Sequence, residues 1–448
     1  MFDLLIRNGT LANSTGLKID LVIADGEVVA MEKDFSGKAR QEIDATGLHI
    51  FPQLIDSHLH FNEPGRADWE GFETGTRALA AGGITLFFDM PLNAHPPTID
   101  AESFNLKLAA AKKSSLVDFA FWGGLVPGNL DKLDELADCG VIGFKAFMAD
   151  SGIDDFSCVD DWTLREGMKR AAKLNLPVAV HAESEVITKQ LAREFINGGC
   201  TSVRDYLNSR PDEAELDAIR RALEMAGETK CKLHIVHVSC GAGMALIAEA
   251  KKRGVDVSCE TCPHYLTLTD DDVEKLGAVA KCAPPLRSAR DQEGLWQFVS
   301  RGDLPMTIGS DHSPAPPEMK TNANFFKVWG GISGAQHTLP ILITEGHFKR
   351  NVEIMSLWFA LSKAVGQRFN LTLRGDGMNP FPANFALVDL NETFEVKRDE
   401  LFYRHKQSPY IGRKLRGKIV RTFLRGQTIY HDGKIVAKPA GRLVKPQR

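Results

Sequence analysis

The chain has 448 residues, of which 43% are hydrophobic and 25% are charged. This length predicts two to three domains or one large barrel with additions, and the composition is typical of a soluble globular protein rather than a disordered or collagen-like one. With 54 basic and 58 acidic residues the net charge is −4, which argues against nucleic acid or an anionic membrane as a partner.

Short alternating strands are predicted at both ends of the chain. Near the N-terminus they lie at residues 3–7, 20–23 and 28–31, the last after the turn signal Asp25-Gly26. After about residue 370 the pattern returns, with predicted strands at 385–389, 419–424, 428–431 and 434–436. We expect one small β-sandwich assembled from residues 1–53 and 371–448.

The middle of the chain carries eight short apolar runs separated by helical or loop segments. The runs lie at residues 54–61, 84–90, 117–123, 141–147, 178–183, 233–239, 255–261 and 306–310. Predicted helices between them include 74–81, 212–226 and 241–252. This alternation favours parallel strand–helix units, and eight of them over about 260 residues match the size of a TIM-type (β/α)8 barrel. The predicted fold is α/β, with the barrel spanning residues 54–370.

No run approaches the ~18 consecutive apolar residues that would span a bilayer. The first apolar stretch contains Asp3 and Arg7, which does not resemble a secretory signal. The eight cysteines are spread along the chain, as expected for reduced thiols rather than for a disulfide framework. We therefore expect a cytoplasmic protein.

Histidines and a carboxylate recur where the predicted strands end. His58 and His60 are two residues apart on the first strand and therefore face one side, although such a pair also arises by chance on exposed strands. His181, His237 and Asp311 close or follow the fifth, sixth and eighth strands. The C-terminal strand ends of a barrel form one active-site face, so we expect these five residues to become neighbours able to hold divalent metal.

Lys145 lies on the fourth predicted strand, where the ring of ligands would otherwise have a gap. An ammonium group cannot bind a cation. One interpretation is a lysine held by a salt bridge; the other is a lysine that reacts with carbon dioxide to form a carbamate, whose two oxygens can bridge two metals. The segment by itself leaves both interpretations open.

Other histidines and cysteines favour structural roles. The pair Cys259 and Cys262 has no second pair at zinc-ribbon spacing, so buried reduced thiols are expected. His264 is expected to pack near the barrel mouth or to contact the substrate. His312 is expected to orient the loop that follows the eighth strand, and His234 is expected to pack.

The residues at the strand ends resemble the metal-binding set of the cyclic amidohydrolases, the family of dihydroorotases, hydantoinases and allantoinases. The resemblance covers essentially the whole chain. It implies two divalent ions, expected to be zinc, although the ligands also suit cobalt, manganese and iron. The implied ligands are His58, His60, carboxylated Lys145, His181, His237 and Asp311.

Several segments are similar to the allantoinases within this family: residues 60–66, 89–93, 259–265, 310–320, 329–334 and 403–413. A hydantoinase is expected to carry a tyrosine shortly after the bridging lysine, but residues 148–151 include no tyrosine. A dihydroorotase is expected to carry an arginine just after the second histidine of the pair, but here Phe61 and Asn62 follow His60. The chain departs from the family at Gln53, which replaces a glycine, and at 379–384, so the entry into the C-terminal sandwich is left open.

The resemblance implies hydrolysis of the cyclic amide of allantoin to allantoate, a step of purine catabolism. Hydroxide bridging the two metals would attack the carbonyl carbon, and Asp311 would act as general base and then as general acid toward the ring nitrogen. Asn93, Cys282, Ser313 and Ser333 are expected to contact the substrate, and a homotetramer is expected. The alternatives are hydantoinase (dihydropyrimidinase) or dihydroorotase activity, or a non-catalytic scaffold relative that would lack ligands.

Overall fold

The strands fall into three consecutive groups along the chain. The structure is a computed structural model that describes residues 1–302, 304–372 and 380–447. The first group is β1 (Phe2–Leu11), β2 (Lys18–Ala24), β3 (Glu27–Glu32), β4 (Ala39–Asp44) and β5 (His49–Pro52). The second is β6 (Leu54–Leu59), β7 (Ile84–Asp89), β8 (Asp118–Phe121), β9 (Gly123–Gly124), β10 (Phe144–Phe147), β11 (Val178–His181), β12 (Leu233–Ile235), β13 (Val257–Thr261) and β14 (Met306–Ile308). The third is β15 (Phe381–Pro382), β16 (Phe385–Glu395), β17 (Lys414–Leu424), β18 (Gln427–His431) and β19 (Lys434–Ile435).

Helices connect and follow the strands of the second group. The α-helices are α1 (Phe72–Ala81), α2 (Ala101–Ser114), α3 (Leu133–Cys139), α4 (Asp161–Lys173), α5 (Glu185–Asn197), α6 (Val203–Asn208), α7 (Asp212–Thr229), α8 (Gly241–Lys252), α9 (Asp270–Leu276), α10 (Ala289–Arg301), α11 (Thr338–Leu342), α12 (Ile354–Leu361) and α13 (Lys363–Arg368). Short 3₁₀ helices lie at Leu130–Lys132, Gly277–Ala280, Pro317–Lys320, Phe325–Lys327, Ala335–His337 and Arg398–Glu400, and a π-helical segment at Ile343–Phe348. Across the described ranges, no helix is both long enough and apolar enough to span a bilayer.

The second group forms a parallel barrel. Strands β6, β7 and β8 pair in sequence order, and so do β9 to β14. The two arcs meet where the amide of Ile142 donates to the carbonyl of Phe121 at 3.0 Å, and where the amide of Asp311 donates to the carbonyl of His58 at 2.9 Å. Every residue of strands β6 to β14 is buried, which explains why they appear in the sequence as continuous apolar runs. The predicted α/β class and TIM-type barrel are confirmed, and each of the eight predicted runs contains a barrel strand.

Local sequence signals set where the barrel helices begin and end. Helix α10 begins after Ser288, whose side chain accepts a hydrogen bond from the amide of Asp291, and it stops at Gly302, which has a left-handed φ of 64°. Helix α2 begins with a reciprocal capping box between Asp100 and Ser103. Helix α8 has the predicted bounds, and α1 and α7 contain the predicted segments.

The first and third groups pair with each other in one sheet, ten-stranded within the described residues. Strand β5 pairs antiparallel with β16, and β15 pairs antiparallel with β3. Strand β1 pairs with β4 through its first half and with β5 through its second half, so the sheet branches there. Strand β4, which the sequence analysis does not predict, is largely exposed and has the sequence ARQEID, so it lacks the apolar alternation by which strands are recognised.

The entry from the barrel into the C-terminal strands is described only in part. Asn379 and the rest of 373–379 lie outside the described residues, whereas Phe381 and Pro382 form β15 and pair with Val28 and Glu27. The division into residues 1–53, 54–370 and 371–448 therefore stays a prediction.

A buried ion pair connects the sheet to the barrel. Arg425, between β17 and β18, donates from Nη1 to both carboxylate oxygens of Asp118 in β8, at 2.7 and 2.8 Å. The two side chains are only 19% and 11% exposed, and Asp118 also accepts the amide of Arg442 at 2.8 Å. Removing the guanidinium would leave a buried carboxylate without its counter-charge.

We expect Arg425→Met to lower the free energy of unfolding by about 2–3 kcal/mol because Asp118 loses its charged partner. Urea denaturation followed by circular dichroism measures the change. The control is Arg40→Met, since Arg40 is 70% exposed and pairs with the exposed Asp3; its denaturation midpoint should stay at the wild-type value. Equal midpoints for the two variants would contradict the prediction.

Candidate metal centre and substrate cleft

The candidate ligands lie at the C-terminal rim of the barrel, as the strand assignment predicts. His58 is in β6, Lys145 in β10 and His181 at the end of β11. His237 follows β12 and Asp311 follows β14, and both have a left-handed backbone, with φ of 41° and 45°. Such φ values are uncommon outside glycine and cluster at functional sites, so the backbone is bent at the two positions where these side chains turn into the mouth.

One half of the site consists of two imidazoles around a carboxylate. Asp311 Oδ1 lies 3.3 Å from His58 Nε2 and 3.4 Å from His60 Nε2. Ligand atoms of these three residues lie within 4.8 Å of one another. Two nitrogens and one oxygen facing a common point are donors that zinc and similar divalent ions accept.

The other half is a second pair of imidazoles. His181 Nδ1 lies 3.0 Å from His237 Nε2, and the rings of His58 and His237 are 5.5 Å apart between centroids, which makes the two halves adjacent. The far nitrogen of His181, Nε2, lies 2.9 Å from Glu183 Oε2. A hydrogen bond there leaves the lone pair of Nδ1 free to face His237.

Lys145 lies among these groups without a hydrogen-bond partner in the described residues. Its side chain is fully buried and Nζ has no acceptor, while the Phe147 ring lies 4.9 Å away. No carboxylate of the described residues forms an ion pair with Nζ, so the salt-bridge interpretation is not supported. Burial lowers the pKa of Lys145 to about 7, although Asp311 and Glu260 act in the opposite direction.

Burial and neighbouring charges shift the pKa values of the candidate histidine ligands and of Asp311. Burial lowers the pKa of His60, His181 and His237, which favours the neutral imidazoles that bind metals. Burial would raise the pKa of Asp311, but the neighbouring histidines, His58 first, outweigh it and hold that pKa at about 2. Burial therefore favours neutral nitrogen donors at His60, His181 and His237 near an ionised carboxylate, a set of donors that suits a divalent cation.

Two carboxylates that the sequence analysis did not assign hold the histidines in place. Glu260 in β13 contacts His58 Nδ1 at 2.6 Å through Oε1 and accepts the hydroxyl of Ser57 at 2.8 Å through Oε2. Glu183 contacts His181 and also pairs with the Arg210 guanidinium. Hydrogen bonds of this kind fix the tautomer and orientation of a ligating imidazole.

A signal for both carboxylates was present in the sequence. Glu260 is a charged residue inside a predicted barrel strand. Glu183 follows His181 by two residues, so Glu183 and His181 would face one side of an extended chain. A buried charge in such a position requires a partner.

The ligands open into a cleft whose empty space, including its mouth, is about 540 Å³. Asn93, Cys282 and Ser313, three of the predicted substrate contacts, line it together with four of the histidines and Asp311. Asn93 Nδ2 lies 3.3 Å from His60 Nδ1 and 3.5 Å from the hydroxyl of Ser313. Ser333 lies in a smaller neighbouring pocket, which shares Gly331 with the cleft. Polar side chains that converge on one cleft in this way are typical of a small-molecule site.

The remaining histidines and cysteines have the positions expected of packing groups. His312 accepts the amide of Gly334 at 3.2 Å, and so orients the loop after β14. His234 Nδ1 lies 2.7 Å from the Ser258 hydroxyl. His264 is buried with both ring nitrogens unpartnered within the described residues. Cys259 and Cys262 are buried free thiols.

The barrel and this set of donors at its C-terminal mouth define the class of metal-dependent hydrolases. The sequence profile of the Amidohydrolase family matches residues 49–336, and the chain belongs to that family. A protein named allantoinase from Rubrobacter xylanophilus is 54% identical over 447 residues, covering 100% of this chain and 98% of that protein. One of the same name from Deinococcus radiodurans is 49% identical over 448 residues, covering 99% of each. The solved structure of an L-hydantoinase (dihydropyrimidinase) from Arthrobacter aurescens has a TM-score of 0.96 and 33% identity, covering 99% of this chain and all of that one.

We expect Glu260→Gln to weaken metal binding about 10–100-fold because the amide orients the His58 ring less firmly and removes a negative charge. Competition with a chelator, followed by metal analysis, measures the affinity. The control is Glu249→Gln in α8, an exposed carboxylate that pairs with Arg253. The prediction fails if both variants retain metal as the wild type does.

Proposed function

We propose that the chain hydrolyses the cyclic amide bond of allantoin to form allantoate. The observation that carries the proposal is that five of the six candidate ligands line one cleft in a chain similar, over its whole length, to proteins named allantoinase. Hydantoinase or dihydroorotase activity is the alternative. The intact ligand set argues against a non-catalytic scaffold.

We propose that two divalent ions, expected to be zinc, bind at the barrel mouth. The residues fit such ions because five of them turn nitrogen or oxygen lone pairs toward one small volume, and His237 Nδ1 and Lys145 Nζ are buried without partners among the described residues. When bound, the ions would polarise the amide carbonyl and lower the pKa of a water toward neutrality. The proposed ligands are His58, His60, Lys145, His181, His237 and Asp311.

Lys145 is proposed to act as a carbamate. A new bond between Nζ and the carbon of carbon dioxide, with release of a proton, replaces an unpaired buried amine by an anion with two acceptor oxygens. The amine can react because nothing in the described residues hydrogen-bonds to Nζ. The negative charge then offsets the two cations, which the ammonium would repel.

The chain's own groups bind the substrate and move its proton. Asp311 is ionised at neutral pH, so it can accept a proton from the attacking water and return it to the departing ring nitrogen. Asn93 and Ser313 line the cleft near His60 and are proposed to hydrogen-bond the ring amides. Cys282, which also lines the cleft, and Ser333 are proposed as further substrate contacts. Holding the ring in this orientation removes the entropic cost of bringing the reactants together.

The oligomeric state and the cellular location are two further parts of the proposal. We propose a homotetramer in the cytoplasm. Sedimentation velocity of the purified chain tests the assembly, and a single species of about 50 kDa, the mass of one chain, would exclude it.

We expect the metal-loaded protein to hydrolyse allantoin in preference to dihydroorotate and to a 5-substituted hydantoin. Turnover of the three substrates should be compared by kcat/KM, with the metal content measured on the same sample. A preference for either of the other two substrates would contradict the assignment of allantoin as the substrate, although the protein would still be a cyclic amidohydrolase. A metal content below one ion per chain, together with no hydrolysis of any of the three substrates, would favour the scaffold alternative.

We expect Lys145→Ala to lower both activity and metal retention at least about a hundredfold because the proposed carbamate oxygens, which would hold the metals, are lost. Added acetate or propionate should restore part of the activity, since a free carboxylate can enter the space left by the side chain. The control is Lys169→Ala, an exposed lysine of α4 that pairs with Glu166. Full activity of Lys145→Ala would refute the carbamate.

A further inference from the structure

Residues 325–331, here called the cleft loop, form one wall of the substrate cleft. Trp329, Gly330 and Gly331 line the cleft directly. The Trp329 ring packs edge-on against Trp69, with centroids 4.9 Å apart. Apart from the one-turn helix Phe325–Lys327, the loop has no regular secondary structure, so other contacts must fix its position.

Lys281 is almost fully buried beneath this loop, with 4% of its surface exposed. Its Nζ donates to the carbonyl oxygens of Phe325 at 2.7 Å, Val328 at 2.6 Å and Phe326 at 3.4 Å. The ammonium also lies 4.3 Å from the centroid of the Tyr206 ring, within the range of a cation–π contact.

Lys320 holds the other end of the loop in the same way. Its Nζ donates to the carbonyl oxygens of Trp329 at 2.9 Å, Gly331 at 2.7 Å and Ala278 at 3.2 Å. An ammonium has three protons to donate, so both lysines use their full capacity on backbone carbonyls. Neither forms an ion pair with a carboxylate of the described residues. Burying cations in this way is costly, and apolar side chains could fill the space more cheaply.

The loop position determines the spacing of the predicted substrate contacts. The amide of Gly331 donates to the carbonyl of Lys281, next to Cys282, at 2.8 Å, and the amide of Ser313 donates to the carbonyl of Ile332 at 3.0 Å. A Cβ on Gly331 would lie 2.1 Å from the carbonyl oxygen of Ser313. At Gly331 the loop is therefore packed tightly against the Ser313 backbone and hydrogen-bonded to Lys281, so we expect a shift of the loop backbone there to disturb Ser313 and the neighbouring Cys282.

We propose that Lys281 and Lys320 are positioning residues that hold the cleft loop as the wall against which the cyclic ureide binds. This inference rests on the proposed function for the identity of the substrate. Neither lysine lines the cleft, so they act through the carbonyl groups of the loop. Their loss should weaken substrate binding and leave in place the metal ligands, which lie on the barrel strands or within three residues of their C-terminal ends.

We expect Lys320→Met to raise KM for allantoin about tenfold, because three carbonyls lose their donor, while kcat stays within about twofold and the metal content per chain is unchanged. Lys281→Met should act in the same direction, and Lys320→Arg should recover part of the loss. The control is Lys169→Met. A purely structural lysine would not separate KM from kcat.

Backbone hydrogen exchange tests the loop independently of catalysis and remains informative if Lys281→Met is poorly folded. In metal-loaded Lys320→Met, amides of residues 321–332 should exchange faster than in the wild type, while peptides that carry His58, His181 and His237 should not change. Unchanged loop exchange, or an unchanged KM, would overturn the proposal. Absence of allantoin hydrolysis by the wild type would refute the proposed function alone, and KM is then measured with the ring that the panel identifies.

Discussion

Two backbone hydrogen bonds between the first and the last strand of the barrel hold the candidate centre together. The amide of Asp311 donates to the carbonyl of His58, and the amide of His60 donates to the carbonyl of His312. They fix the backbone positions of His58, His60 and Asp311, so that one carboxylate oxygen of Asp311 lies near both imidazoles. The other ligands reach the same rim because all parallel strands of a closed barrel end on one face.

Closure also concentrates polar groups where water is excluded, and the ionised Asp311 lies there among buried imidazoles, a set of donors that suits a cation. Burial lowers the pKa of His60, His181 and His237 and so favours their neutral form, and the pKa of Asp311 stays low beside them. Glu260 and Glu183 each hold one imidazole from behind. Lys145 is the exception, a buried amine with no acceptor in the described residues. The environment that makes an ammonium costly there would stabilise the proposed carbamate once cations are bound beside it.

The sequence alone predicts the barrel and the convergence of the ligands because continuous apolar runs are a strong signal and their order fixes which ends meet. It does not predict β4, whose exposed polar residues carry no periodicity. The partners Glu260 of His58 and Arg210 of Glu183 come from other strands or loops, and only the folded chain defines such contacts. The contacts of Lys281 and Lys320 with backbone carbonyls depend on the conformation of an irregular loop, and such a loop has no periodic sequence pattern from which its conformation could be predicted.

Substrate choice must lie in the cleft wall rather than in the fold. The L-hydantoinase from Arthrobacter aurescens has nearly the same backbone as this chain, yet its name gives a different ring as substrate. The ligands lie on barrel strands or directly after them, and packing on both faces keeps these strands rigid, whereas Trp329, Gly331 and Cys282 lie on longer loops. Loops can change sequence without disturbing the barrel. A rigid centre with a separately anchored wall therefore allows one chemistry to serve several rings, and the anchoring of that wall decides how selective the cleft is.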